Sequence, residues 1–240
     1  MGRREIAFSA LSAVMDPELD ESITSLGFVR SLTVSPADNV KVHLRLPTSF
    51  CSPNFAYLMA SDAKDVLMQL DWTRNVVVEL DEHHDSPIIN AGLAADAGYR
   101  GTFGHEADDS LDGLRETFRR KAHTAAMERC LTAMLRSNPA RTEASLGDVT
   151  LADLPDDAAK SALLKRRTAL GLSTATDALV LVDHTGAGYP ADAVPMALRR
   201  ARSTRISIDG NAHFCRGLLR TRYGDDEPAA FIPVSALTTH

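Results

Sequence analysis

The segment Leu46-Pro-Thr-Ser-Phe-Cys-Ser-Pro-Asn54 places a single thiol, Cys51, between a run that alternates like a strand and a run with helical spacing. A thiol on a short turn that opens a helix faces the helix's positive end. That position favours the thiolate, the form that attacks electrophiles and ligates metals. Upstream, Asp16-Pro-Glu-Leu19 is an acidic turn whose carboxylates offer hard oxygen ligands or a proton acceptor. Asp81-Glu-His-His-Asp85, with His105 and Glu106 further on, adds groups suited to Fe(II), Mn(II) or Zn(II). A metal site built from His83 or His84 with His105 and an acidic partner is one reading, and a solvated polar loop is the other. Adjacent histidines on extended backbone point to opposite sides, so only one of the pair would serve.

The remaining chemistry is thinner. The three cysteines, Cys51, Cys130 and Cys215, are widely spaced and include no CxxC pair, which excludes a self-contained four-cysteine zinc site and a cluster held by this chain's thiolates alone. Cys130 falls within a long helical pattern and Cys215 in a helix or loop, and both read as structural. His43 is the nearest base if Cys51 were a nucleophile, but it shares a strand face with Lys41 and Arg45, which reads as an exposed face. Asp183-His-Thr-Gly-Ala-Gly188 has the texture of a phosphate-binding turn, yet it lacks GxGxxG and a Walker lysine, so a tight loop is the competing reading.

These residues must be positioned by regular elements. Glu5 to Met15 has a helical apolar face that Asp16-Pro17 should stop. Phe28–Val34 and Val40–Leu46 read as strands joined by a five-residue turn, an antiparallel hairpin. Pro53 suits the first turn of a helix running to Leu70, and Asn75–Leu80 is a third strand. Residues 86–107 hold five glycines or prolines and read as a loop or loosely helical connector. Helices are expected over Ser110–Leu135, Asp156–Leu170 and Val194–Arg202. Strands are expected at Ala178–Val182, Arg205–Ile208 and Ala229–Val234. The fold class is therefore α/β (α+β): a small αββαβ sandwich over 1–85, a connector over 86–107, and a mixed α/β domain over 108–240.

With 240 residues, 44% hydrophobic and 24% charged, the chain is an ordinary globular protein with enough length for a real core. It has no apolar run of membrane-spanning length, and Met1-Gly-Arg-Arg-Glu5 leads straight into a helical pattern, so a cytoplasmic location is expected. Residues 1–105 carry 8 Lys/Arg against 14 Asp/Glu, which argues against that part tracking a phosphate backbone. Seven arginines lie between Arg199 and Arg222. Few aromatics accompany them, so nucleic acid is not the expected partner. A partner-facing or solvated surface, or one facing the acidic first part of the same molecule, fits better.

Asp16-Pro-Glu-Leu19, Ile23, Leu26-Gly27-Phe-Val29, the hairpin ending at Thr48 and Cys51, and Pro53 opening a helix occur in the order that resembles the SufT/PaaD-type iron–sulfur assembly domain family, over residues ~5–85. The resemblance implies a non-enzymatic role in maturing iron or iron–sulfur proteins, with Asp16, Glu18, Thr48 and Cys51 as the functional set. Cys51 would hold iron or a cluster transiently, with other ligands from a client metalloprotein or from a second copy of the chain, as in a homodimer. The C-terminal part would recognise that client. The family's setting also implies an alternative, a dedicated assembly partner of a metal-dependent oxygenase with no metal handling. A third reading, from the residues themselves, is a thiol enzyme. The turn departs from the family pattern at Phe50, where a small residue is usual, and at Ser52, which separates Cys51 from Pro53.

Overall fold

A computed structural model describes residues 2–104, 111–138 and 140–224. The chain groups into two compact units, residues 1–111 with 212–240, and residues 112–211.

In the first unit α1 (Arg3–Leu11) ends earlier than its apolar pattern suggests. Asp16 precedes a proline, which disfavours helical backbone, so Met15 and Asp16 extend instead. They form β1 (Met15–Asp16), antiparallel to β2 (Glu21–Ser22). β3 (Val29–Val34) and β4 (Asn39–Arg45) make the expected hairpin, closed by Ser35–Asp38 with Asp38 at φ 62°. α2 (Pro53–Met68) starts at Pro53 and carries the chain to β5 (Asn75–Asp81), which pairs parallel with β4. Val40, Val42 and Leu44 of β4 and Val76, Val78 and Leu80 of β5 alternate onto one buried face, with Leu11 and Ala7 of α1 and Ala60, Ala63 and Leu67 of α2 also in the core. The αββαβ order thus stands, with the β1–β2 ribbon added.

The expected connector holds two helices, α3 (Ser86–Ala94) and α4 (Gly98–Phe103). Its glycines serve packing rather than flexibility: a Cβ on Gly92 would lie 2.0 Å from Thr102 Oγ1, so only glycine lets α3 and α4 approach this closely. Tyr99 and Phe103 of α4 pack their rings on Tyr57 of α2.

The second unit is helical. It contains α5 (Leu111–Ser137), two 3-10 turns (Ala144–Asp148 and Leu151–Asp153), α6 (Ala158–Ala169) and the first part of α7 (Val194–Tyr223). Leu131, Leu146, Leu151, Leu163, Val180 and Leu181 form its core. The strand expected at Ala178–Val182 does not form. Leu179 and Val182 make only isolated bridges, to Thr150 and Gly188, because the apolar run fills a core between helices with no strand beside it. Arg205–Ile208 is likewise not a strand but lies inside α7, where Leu198, Ala201, Ile208 and Ala212 repeat at helical spacing and are buried. Ala229–Val234 lies outside the described residues. The protein is therefore mixed α and β overall, with its described strands confined to residues 15–81. The segmentation at 85 and 107 does not coincide with the compact units, because the continuous helix α7 returns the chain to the first one.

Two buried ionic groups organise the second unit. Glu128, 1% exposed, accepts from Thr132 Oγ1 at 2.7 Å and pairs with Arg205 and with Arg202 at 3.4 Å. Arg167, also 1% exposed, donates to the carbonyls of Ser173 at 2.6 Å and Leu179 at 2.8 Å, tying the irregular 173–179 segment to α6. Removing its guanidinium leaves buried carbonyls unpaired. Arg167→Met is expected to cost about 2–4 kcal/mol of stability, read as a lowered denaturation midpoint with far-UV circular dichroism.

Candidate functional site

The parallel pairing of β4 with β5 puts the loops that follow them at the same end of the sheet. Cys51 lies in the first loop, directly before Ser52, the residue that caps α2, with Pro53 at the first helical position. The Ser52 insertion thus sets the thiol one position ahead of the cap. Cys51 is half-buried, whereas Phe50 is 81% exposed and stacks on His84 with ring centroids 5.9 Å apart. Thr48 Oγ1 lies 3.4 Å from Cys51 Sγ and accepts the Phe50 N–H at 3.2 Å, leaving the hydroxyl proton available to the sulfur.

The second loop holds the first in place. His84 N–H donates to the Ser49 carbonyl at 2.8 Å. The His83 side chain is buried: Asp85 N–H donates to its Nδ1 at 3.1 Å, which fixes the tautomer so that Nε2 donates to the Cys51 carbonyl at 2.8 Å. Both ring nitrogens of His83 are therefore engaged in shaping the thiol turn. His105 lies outside the described residues.

Asp16 is buried, and its Oδ1 accepts the N–H groups of Glu18 and Leu19, both at 2.9 Å, closing the DPEL turn. Burial raises its pKa to about 6, against the lowering effect of those two hydrogen bonds. Gly27, in the Leu26-Gly27 pair, has φ +76°, and a Cβ there would lie 3.4 Å from Leu219 of α7.

The end of α7 supplies what the sequence reading missed. Cys215, Leu219 and Arg222 fall on one helical face by their spacing. Arg222 donates to the Leu46 carbonyl at 3.1 Å, Ser49 Oγ at 2.9 Å and the Glu82 carbonyl at 2.7 Å, so one guanidinium joins both loops. Arg216 pairs with Glu21, and the Arg45 guanidinium lies 4.7 Å from the Tyr223 ring centre. Arg45 is thereby buried, contrary to the exposed strand face expected for it. Cys215, read as structural, has Asp16, Cys51 and Glu18 as electrostatic neighbours. Burial first, and then these charges, push its thiol up to about 11. Asp16, Glu18 and Cys51 thus gather around a second thiol. The one signal in the sequence was the arginine-rich stretch, whose Arg216 and Arg222 do face acidic residues of the first part. Cys130, by contrast, is buried in the core of the other unit.

His43, the base that the thiol-enzyme reading would use, has carboxylate partners of its own. His43 Nδ1 lies 2.9 Å from Asp81 Oδ1 and its Nε2 3.4 Å from Glu79 Oε2, on the polar face of the sheet. Among the described residues this trio is the one group of three or more potential ligands within joint reach of a metal ion. Arg30 at 3.0 Å from Asp81 and Lys41 at 3.1 Å from Glu79 already balance both carboxylates, so it is an ion-pair ladder across β4 and β5.

Two outcomes follow from this geometry. With its folded pKa above the unfolded value, Asp16 contributes stability that is present below about pH 4 and lost as pH rises through about 6. Asp16→Asn keeps an oxygen acceptor and removes the charge. The variant's advantage over wild type is expected to grow across that range and to reach about 1–3 kcal/mol above pH 6, measured by urea denaturation across pH. Arg222→Gln should free the thiol turn, seen as faster amide hydrogen exchange at His84 and faster alkylation of Cys51, with the Arg167-centred unit unaffected.

Residues 4–80 match the family described as iron-sulfur cluster assembly protein. No curated protein and no solved structure gives a significant match. The matched span runs from α1 to β5 and includes Asp16, Glu18, Thr48 and Cys51, while His83, Cys215 and Arg222 lie beyond it. The αββαβ segment that presents Cys51 is thus similar to the iron–sulfur cluster assembly domain family, and the C-terminal extension that follows is outside the match.

Proposed function

We propose that this protein is a metal-centre maturation factor that helps to load iron or an iron–sulfur cluster into a client protein, with Cys51 as the transient ligand. The observation that carries this reading is the placement of Cys51: at the mouth of a helix, beside the Thr48 hydroxyl, in the family-matched segment, with Cys215, itself a neighbour of Asp16, close by. Iron and sulfide are the cargo here. Two thiolates are too few for a complete coordination sphere, so the remaining ligands come from the client or a second copy of the chain, which makes release straightforward.

Loading a thiol requires that it lose its proton. Cys215, with a pKa of about 11, gives up its proton only as iron takes the sulfur, and Asp16, ionised above about pH 6, is the neighbouring carboxylate that receives it in that step. Its role is proton handling, since its Oδ1 already closes the DPEL turn. The exposed Phe50 ring, held by His84, gives the client an apolar contact next to the thiol. The C-terminal unit adds further client recognition, and a cytoplasmic setting suits free thiols.

The test is anaerobic reconstitution of the full chain with ferrous iron and sulfide, followed by gel filtration and absorption spectroscopy. Cys51→Ser is expected to lose the retained iron and the sulfide-to-iron absorption, and Cys215→Ser to retain a smaller, shorter-lived fraction. Iron retention unchanged in Cys51→Ser would sink the maturation chemistry. If that variant also supported full activity of a co-purifying oxygenase, the assembly-partner function would take its place.

A further inference from the structure

A cavity of about 360 Å³ lies within the second unit, lined by residues of α5, α7 and the loop that contains Asp183–Gly188. That volume is in the range of small-ligand sites. Its apolar walls include Met127, Leu170, Val182, Ala197 and Ala201. Into it faces His123, 2% exposed, whose Nε2 is buried and has no hydrogen-bond partner. A buried imidazole nitrogen without a partner carries a desolvation cost that a bound polar group would relieve. Burial, with the charges of Arg167 and Arg166, lowers the pKa of His123 to about 4, so at neutral pH the ring is uncharged and offers a hydrogen bond rather than a charge.

Charge comes from the cavity's other polar residues. Arg120 of α5, held by Glu116 at 2.9 Å, and Arg200 of α7 both line it. Among the described residues no carboxylate lies within ion-pair distance of Arg200. The carboxylate that lines the cavity, Asp183, is spent on its own loop: its Oδ1 accepts from Thr185 N at 2.8 Å, Thr185 Oγ1 at 2.6 Å and Ala187 N at 3.0 Å. Those inward-turned amides make the 183–188 segment a tight loop and not a phosphate cradle, yet the same loop forms a wall of the cavity through Asp183 and His184.

We propose that this cavity is a binding site for a small organic carboxylate with a compact apolar body, its carboxylate paired with Arg200 and Arg120 and accepting a hydrogen bond from His123 Nε2. The apolar walls select the body, and the arginines select the charge. The site is separate in its residues from Cys51 and stands or falls independently of the maturation reading.

The test is calorimetric titration of the full chain with hexanoate and benzoate, using hexanamide as the uncharged control and inorganic phosphate as the charge without an apolar body. Both acids are expected to bind saturably, hexanamide and phosphate roughly tenfold or more weakly. Arg200→Gln, an exposed position where folding is not at stake, should weaken the acids roughly tenfold and leave hexanamide unchanged. His123→Phe, checked for folding by circular dichroism, should abolish binding of all three organic probes. No saturable heat with either acid, equal binding by Arg200→Gln, or phosphate binding as tightly as the acids would overturn the proposal.

Discussion

The parallel pairing of β4 with β5, Asn39 opposite Asn75 through Arg45 opposite Asp81, is the constraint from which the site follows. Parallel neighbours cannot be joined by a tight turn, so the chain must cross over through a helix. That crossover is α2, and its start is where Cys51 sits. The same pairing brings the loop after β5 to the end of β4, where His83 and His84 reach the backbone of Cys51 and Ser49. Sites at the carboxyl ends of parallel strands are a general outcome of this geometry. Here it converts a flexible Ser-Phe-Cys-Ser segment into a turn with one thiol presented and its carbonyl engaged.

The end of α7 then changes what that turn can do. One arginine, Arg222, binds carbonyl and hydroxyl oxygens on both loops, and a planar guanidinium with five donors is the side chain able to do so. The helix that delivers it also delivers Cys215. A segment with one cysteine has a second thiol beside it from outside the family-matched span, and burial holds Asp16 at a pKa of about 6. The acidic DPEL turn serves two ends at once: its backbone amides satisfy Asp16, and its carboxylates set the field around the thiols.

The parts of this arrangement that were legible in the sequence are those whose partners are close in the chain. Thr48 and Cys51 are three residues apart, Asp16 bonds the amides of Glu18 and Leu19, and Pro53 marks the start of α2. The αββαβ order was legible for the same reason, since alternation and helical spacing are short-range signals. The structure departs from the sequence pattern where a short run of strand-like residues takes its conformation from its surroundings. Ala178–Val182 and Arg205–Ile208 have strand-like composition, but one fills a core between helices and the other lies within α7. Periodicity over five residues cannot separate these cases. The glycines of 86–107 suggested slackness, where Gly92 in fact permits two helices to touch.

By itself, then, the sequence determined the αββαβ segment, the Asp16 turn and the Thr48–Cys51 pair, because each rests on hydrogen bonds or side-chain alternation within a few residues. Only the tertiary structure decided that His83 is a fastener of the thiol turn, that Arg45 is covered, and that Cys215 and Arg222, over 160 positions from Cys51, belong to its surroundings. It likewise decided that His123 faces a cavity. The physical reason is common to all of these. Burial and electrostatic neighbourhood are properties of the packed chain, set by which distant surfaces meet, and no local pattern of residue types encodes them.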